Sequence, residues 1–237
     1  MTVVKICGMR ELSHMIAAAE AGADMLGLNF LPRVRRYIEP DAAKELANSF
    51  REHSTSLGAG LALPLVGLFA DQPVEEVNEV AARVGLDMVQ LCGDEPIEYW
   101  STVTVPILKV VHVLSVPKER STARNSVVKD VHFRLQEIDE SGHIAVLDRQ
   151  SDTQPGGLGE TFDWSIARDM ADRGHRFLLA GGLTPENVGE AIESTQPYGV
   201  DVSSGVETDG AKNIAKIQAF IAAARATDVE HLPRTQR

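Results

Sequence analysis

Residues 3–8 read Val3-Val4-Lys5-Ile6-Cys7-Gly8: a short β-rich run, with Lys5 and Cys7 on one face by period-two alternation, closed by a glycine. Seven further runs follow, at 25–30, 65–69, 87–91, 107–113, 143–148, 176–180 and 199–203. The intervals between them carry helical patterns with legible ends. In PVEEVNEVAARVG (73–85), Pro73 suits a first helical position and Gly85 a C-terminal cap. In TPENVGEAIEST (184–195), Thr184 is expected to cap the helix, with Pro185 in its first turn. Strands that alternate with helices run parallel, and eight such units can close on themselves. The expected fold is therefore α/β, a single (β/α)8 TIM barrel with eight parallel strands; a doubly wound open sheet is the alternative. Two segments interrupt the pattern. Residues 52–64 (EHSTSLGAGLALP) read as loop, and 114–142 is polar and irregular, with a helix expected around 117–137.

The rest of the chain bounds its class. A length of 237 residues with 43% hydrophobic content suits one barrel built as a single domain, and 1–227 is read as that domain. The polar tail 228–237 (DVEHLPRTQR) follows a terminal helix and is read as frayed or disordered. A formal charge of −11 repels polyanions, and no Lys/Arg run is long enough to offset it locally. Nucleic acid and membrane surfaces are thereby set aside, and a small molecule is the expected partner. Cys7 and Cys92 are the two cysteines, too few for a disulfide framework or a thiolate zinc site, which fits a reducing compartment. The N-terminal apolar stretch is far shorter than a signal-peptide core, and no run approaches the ~20 apolar residues of a membrane span. A cytoplasmic protein, monomer or homodimer, is expected.

A parallel barrel gathers its chemistry at the C-terminal ends of its strands. Here those ends are polar and glycine-rich: Cys7-Gly8; Asn29, followed by PRVRRYIEP (32–40); Gln90-Leu91-Cys92-Gly93-Asp94; Asp148; Ala180-Gly181-Gly182; and Asp201-Val202-Ser203-Ser204-Gly205. A cation beside a thiol favours thiolate, so Lys5 is expected to lower the Cys7 pKa from its usual ~8.5 and make it a usable base. The plainer reading of a single cysteine is a small buried hydrophobe. Asp148 closes the apolar run Ile144-Ala145-Val146-Leu147, where desolvation raises a carboxyl pKa and keeps a general acid protonated. The plainer reading is a loop cap or a pair with Arg149. Arg33, Arg35 and Arg36 concentrate positive charge in an acidic chain, and a guanidinium can clamp a carboxylate through two parallel hydrogen bonds, although surface arginines are usually just solvated. Gly156-Gly157-Leu158-Gly159, Gly181-Gly182 and Ser203-Ser204-Gly205 offer backbone N–H groups after strands six, seven and eight. The last two loops match the usual phosphate cradle of β/α barrels.

The ordered segments VKICGMR (4–10), GLNF (27–30), RRYI (35–38), VGLF (66–69), VQLCGDE (89–95), VLD (146–148) followed by GGLGETFDW (156–164), LAGGLTPENV (179–188) and GVDVSSGVETDG (199–210) span nearly the whole chain. Together they resemble the phosphoribosylanthranilate isomerase family. The resemblance implies an Amadori rearrangement, without metal or cofactor, of N-(5-phosphoribosyl)anthranilate to 1-(2-carboxyphenylamino)-1-deoxyribulose 5-phosphate. It implies that Asp148 is the general acid that opens the furanose ring and Cys7 the base that takes the proton from the second sugar carbon. Arg36 is implied to hold the anthranilate carboxylate, with Gly157, Gly159, Gly182, Ser203 and Ser204 around the phosphate. Asp201, on the same strand face as Ser203, is implied as a substrate or support residue rather than the acid.

The chain departs from that family pattern at three positions. Cys92 stands where the family usually has His, while Leu158 and Glu160 stand where Thr or Ser and then Lys are common. Two other readings follow. The related isomerase of histidine biosynthesis, or a dual-specificity barrel, runs the same rearrangement, but uses a carboxylate where Cys7 stands and needs a second phosphate cradle. A non-catalytic sugar-phosphate binder is the reading from another class, against which Cys7 and Asp148 together argue.

Overall fold

The computed structural model describes residues 1–57, 63–114, 121–149 and 163–230 of the chain. Eight parallel strands close into a barrel in sequence order: β1 (Val3–Ile6), β2 (Met25–Asn29), β3 (Leu65–Phe69), β4 (Met88–Leu91), β5 (Ile107–Val113), β6 (Ile144–Arg149), β7 (Phe177–Leu179) and β8 (Gly199–Val202). A helix follows each in turn: α1 (Leu12–Ala21), α2 (Pro40–Leu57), α3 (Val74–Val84), α4 (Ile97–Trp100), α5 (Ser121–Glu140), α6 (Trp164–Asp172), α7 (Val188–Thr195) and α8 (Ile214–Glu230). The loop after β8 carries a 3-10 turn at Ser204–Val206 and a two-stranded ribbon, β9 (Glu207–Thr208) with β10 (Ala211–Lys212). Closure is made by β8 against β1, with Val3 opposite Gly199 and Lys5 opposite Asp201, and it removes the open-sheet alternative.

Each expected strand is present to within one residue at either end. The reason is visible in the packing. Residues of one parity, such as Ile6, Leu26, Val89 and Val111, pack outward under the helices, while Val66, Leu108, Val110, Val146, Leu178 and Ala180 form a second cluster inside the barrel. Strands buried on both faces read as nearly continuous apolar runs, which is what the sequence displays. Burying each such aliphatic side chain contributes about 1.5–3 kcal/mol, and this interior supports the polar groups set above it. In α3 the buried positions Val77, Val80, Ala81 and Val84 make one helical stripe, and Gly85 ends the helix as expected, its N–H on the Ala81 carbonyl.

Five boundaries differ from the sequence reading. Helix α2 continues through Leu57 into the segment read as loop, where Ser54 and Thr55 place their hydroxyls on the carbonyls of Phe50 and Arg51 one turn back, both at 2.8 Å. Helix α7 starts at Val188, not after Thr184. A turn precedes it in which Thr184 makes the expected cap contact, its Oγ1 accepting the Glu186 N–H at 3.3 Å, while its own N–H donates to Asn187 Oδ1 at 2.8 Å and its carbonyl accepts from Val188 at 3.1 Å; Asn187, just before the helix, makes no side-chain cap bond. Helix α5 is described over Ser121–Glu140 and runs past the expected end at 137, with 117–120 outside the described residues, and Pro73 flanks α3 rather than beginning it. Residues 228–230 belong to α8, where Asp228 Oδ1 accepts from the N–H and hydroxyl of Thr2, at 2.8 and 3.0 Å, and ties the last helix to the first strand. Residues 231–237 lie outside the described residues. Among the described residues, no helix is long and apolar enough to cross a membrane.

Candidate active site

The seam between β1 and β8 builds the floor of the site. Lys5 Nζ donates to Asp201 Oδ2 at 2.9 Å, and Lys5 is fully buried. Burial pulls the Lys5 pKa down, but the Asp201 carboxylate more than offsets it, so the ammonium is held above its ordinary range. The other Asp201 oxygen, Oδ1, is buried with no hydrogen-bond partner among the described residues, an acceptor left open on the inner face.

Cys7 lies one residue beyond β1 and is 4% exposed. Its pKa moves against the sequence expectation. Burial pushes the thiol up, with Asp201 adding to it, while Lys5, Lys212 and Arg36 pull it down without prevailing. Lys5 does not create a thiolate because its charge is already matched by Asp201, and desolvation of the sulfur anion wins. The expected lowering of the Cys7 pKa is thereby corrected, and the thiol is protonated at neutral pH in the free protein.

The pKa of Asp148, on β6, moves in the direction the sequence suggested. Burial raises its pKa and Asp201 adds to the effect, against the His112 side chain, the Arg149 N–H and Lys5. Its Oδ1 accepts the Arg149 backbone N–H at 2.8 Å, and a Cβ placed on Gly181 would stand 2.9 Å from the same oxygen, so the loop after β7 closes against the carboxyl group. Lys5 and Asp201 act on both Cys7 and Asp148, which places thiol and carboxyl around one buried ion pair at the same mouth. Among the described residues, no group of three or more His, Cys, Asp or Glu side chains is arranged to hold a metal ion.

The arginine loop reaches the site through a residue that sequence reasoning missed. Arg36 runs over the end of β1, its Cδ 2.6 Å from where a Cβ on Gly8 would stand, and Gly8 has φ +80°. A glycine is required there on both counts. The Arg36 guanidinium is bound side-on by Glu207, Nε to Oε1 at 2.6 Å and Nη2 to Oε2 at 2.9 Å. Arg35 Nη2 reaches Oε2 of the same carboxylate at 2.5 Å, and Lys212 Nζ reaches Oε1 at 3.1 Å. Arg33 is exposed. Burial alone would push the Glu207 pKa up, but Arg36 and Lys212 bring it below the ordinary carboxylate range. Glu207 lies within the motif 199–210 and Lys212 just beyond it, but nothing local in the sequence shows which charges a loop carboxylate or ammonium will meet.

The loops expected to form a phosphate cradle are pressed together. Gly181 and Gly182 have φ +84° and +71°. A Cβ on Gly205 would lie 1.8 Å from the Leu183 carbonyl oxygen, so the β8 loop fits against the β7 loop only as glycine. Ser203 Oγ donates to the Cys7 carbonyl at 3.4 Å, and Lys212 Nζ donates to the Ser203 carbonyl at 2.7 Å. Ser204 opens the 3-10 turn. Gly157 and Gly159, with Leu158 and Glu160, lie outside the described residues.

Two further groups complete the mouth. Cys92 is pushed up to about 12 by burial, so a neutral thiol, accepting from Gln90 Nε2 at 3.5 Å, stands where the resemblance leads one to expect His. An imidazole is nevertheless near. His112 of β5 is the register neighbour of Asp148, and its Nε2 lies 3.2 Å from the Cys92 carbonyl oxygen. Alternation from Leu108 and Val110 would have placed His112 on the inner face.

Comparison with known proteins bears on this arrangement. A family model described as N-(5'phosphoribosyl)anthranilate (PRA) isomerase matches residues 4–223. The chain is 41% identical over 226 residues to the N-(5'-phosphoribosyl)anthranilate isomerase of Roseiflexus castenholzii, covering 94% of this chain and 98% of that one. It is 38% identical over 235 residues to the Moorella thermoacetica protein of the same name, covering 99% and 95%. Among solved structures, phosphoribosyl anthranilate isomerase from Thermotoga maritima superposes with a TM-score of 0.77 at 34% identity, covering 95% of this chain and all of that one. A phosphoribosyl anthranilate isomerase in complex with reduced 1-(o-carboxyphenylamino)-1-deoxyribulose 5-phosphate matches with a TM-score of 0.73 at 33% identity, with the same coverage. A barrel that closes with thiol, carboxyl and arginine at one mouth, matched over its length by these proteins, belongs to the N-(5'-phosphoribosyl)anthranilate isomerase family.

Proposed function

We propose that this chain catalyses the Amadori rearrangement of N-(5-phosphoribosyl)anthranilate to 1-(2-carboxyphenylamino)-1-deoxyribulose 5-phosphate, with Asp148 as general acid and Cys7 as general base. The observation that carries the assignment of roles is the shared placement of these two groups around the Lys5–Asp201 pair, with the Asp148 pKa raised by burial. Asp148 donates its proton to the furanose ring oxygen as the bond from that oxygen to C1 breaks, and the anilino nitrogen lone pair forms the iminium. The positive nitrogen acidifies the proton on C2. The Cys7 thiolate takes it, giving an enolamine that tautomerises to the ketone, gaining a proton at C1 and losing the proton of the C2 hydroxyl. The open Oδ1 of Asp201 is placed to accept a sugar hydroxyl, which gives that residue both a support and a substrate role. Arg36 holds the anthranilate carboxylate, and the loops bearing Gly182, Ser203 and Ser204, with Gly157 and Gly159, receive the phosphate. Two anchored ends keep the flexible open-chain intermediate in reach of both catalytic groups.

The same reading gives a cytoplasmic enzyme whose partner is a small anionic substrate, in keeping with two free cysteines and an acidic chain, and it leaves monomer and homodimer both open. The test is to generate phosphoribosylanthranilate in situ and follow the loss of its fluorescence. Wild-type protein should turn it over, and Cys7→Ala should lose about 10²–10⁴ in rate, the usual worth of a positioned base. A folded wild type without turnover would remove the isomerase assignment. An active Cys7→Ala variant would remove the base.

The raised thiol pKa makes a further prediction. Catalysis needs Asp148 protonated and Cys7 ionised, the reverse of the order in which they titrate, so the competent form is a minority at every pH. The pH profile of kcat/KM, which reports the free enzyme, should rise through an acid limb above 3.8, stay flat, and fall only above 9.0, the ordinary values for the two groups. An alkaline limb well below 9.0 would mean that Cys7 is ionised in the resting enzyme and would refute this account of its environment.

A further inference from the structure

We infer that Glu207 is a positioning residue that presents the free edge of Arg36 to the substrate carboxylate and fixes its distance from the phosphate loop. The inference rests on the isomerase reading above. Glu207 stands at the start of β9 with its side chain 6% exposed, and three cations converge on its carboxylate: Arg36, Arg35 and Lys212. Lys216 Nζ also donates to its backbone carbonyl at 2.8 Å. One negative charge against three positive ones leaves this corner of a −11 chain locally cationic, as an anionic ligand requires.

The geometry of the pair matters more than its charge. Glu207 uses the side-on edge of Arg36, one hydrogen on Nε and one on Nη2. The end-on edge, one hydrogen of Nη1 and the second of Nη2, makes no hydrogen bond among the described residues. That edge is a second fork of the spacing a carboxylate accepts. A guanidinium held by one carboxylate is thereby aimed at another, and it lies over Gly8 beside Cys7, where the anthranilate ring must sit if Cys7 is to reach the sugar.

Glu207 is also connected to the other anchor. Lys212 spans from its Oε1 to the Ser203 carbonyl, at 3.1 and 2.7 Å, so one buried carboxylate sets the spacing between the carboxylate clamp and the Ser203–Ser204 loop. The selected ligand is a molecule with a carboxylate at one end and a phosphate at the other, at a fixed separation. The loss of Glu207 should therefore show in recognition of the carboxylate end.

The experiment compares two inhibitors in folded variants: ribose 5-phosphate, which has the phosphate alone, and reduced 1-(o-carboxyphenylamino)-1-deoxyribulose 5-phosphate, which has both ends. Glu207→Gln should raise KM and the inhibition constant of the two-ended inhibitor by about tenfold or more, with ribose 5-phosphate and kcat changed by less than about threefold. Glu207→Asp keeps the buried charge but shortens its reach by one methylene group. It should show the same discrimination at smaller amplitude, and it serves as the readout if the glutamine variant does not fold. In an Arg36→Met background, Glu207→Gln should add nothing to the discrimination. Equal weakening of both inhibitors, unchanged inhibition constants, or an undiminished effect in the Arg36→Met background would overturn the positioning role while leaving turnover by the wild type intact. A wild type that neither turns over phosphoribosylanthranilate nor binds the two-ended inhibitor would overturn the isomerase reading and this inference with it.

Discussion

Asp148→Asn is expected to lose about 10²–10⁴ in kcat while melting at or above the wild-type temperature. Asparagine keeps the shape of the side chain and an oxygen to accept the Arg149 N–H, now 2.8 Å from Asp148 Oδ1, but it has no proton acidic enough to give to a ring oxygen. The stability half of the prediction follows from the sign of the pKa shift. A carboxyl group whose folded pKa is raised above 3.8 binds its proton more tightly in the folded than in the unfolded chain, so its contribution to stability is present at low pH and is lost as pH rises through the folded value. Above the ordinary carboxylate range the buried group therefore costs stability, and asparagine, which does not ionise, removes that cost. A group that costs stability and is indispensable for rate is what a catalytic acid should be. Thermal melts and single-turnover rates on the same preparations check both halves. A variant with normal kcat would end the acid assignment, and one that melts far below the wild type would show that Asp148 is structural.

Lys5→Met should lower stability by about 3–5 kcal/mol, because it leaves the Asp201 carboxylate buried beneath the site without its partner. For a chain of this length that corresponds to a fall in Tm of roughly 10 °C. Lys5 and Asp201 are 196 positions apart and meet only through closure of the barrel, so the pair reports on the seam between β8 and β1. The double variant Lys5→Met/Asp201→Asn removes the stranded charge and should recover most of the loss in a denaturant or thermal unfolding series, without restoring activity. If the single variant is as stable as the wild type, the ion pair is not desolvated to the degree its burial indicates. If the double variant is worse than the single one, the Asp201 carboxylate stabilises the fold through something other than its pair with Lys5.

The sequence by itself determined eight strands alternating with helices, and strand closure decided between a barrel and an open sheet. Strand positions were legible because a strand buried on both faces leaves a run of β-branched and aliphatic residues, and because each run ends in the polar or glycine residues that the mouth of a barrel needs. Alternation also put Lys5 with Cys7 on one face, and the apolar run before Asp148 announced a carboxyl group that burial would raise. Helix limits were less legible: Ser54 and Thr55 look like loop residues until their hydroxyls are seen to bond one turn back, and α7 begins at Val188 because the residues that Thr184 caps first form a turn. What only the tertiary structure decided were the partners. Whether Lys5 ionises Cys7 depends on Asp201, brought opposite it by strand closure, and on the desolvation of the sulfur, which depends on everything packed around it. Arg36 was readable as a cation, but the edge it offers is set by Glu207, 171 positions away, and by Lys212 behind it. Propensity and periodicity are local and survive in the sequence. Charge pairing and burial are sums over neighbours that exist only once the eighth strand has met the first.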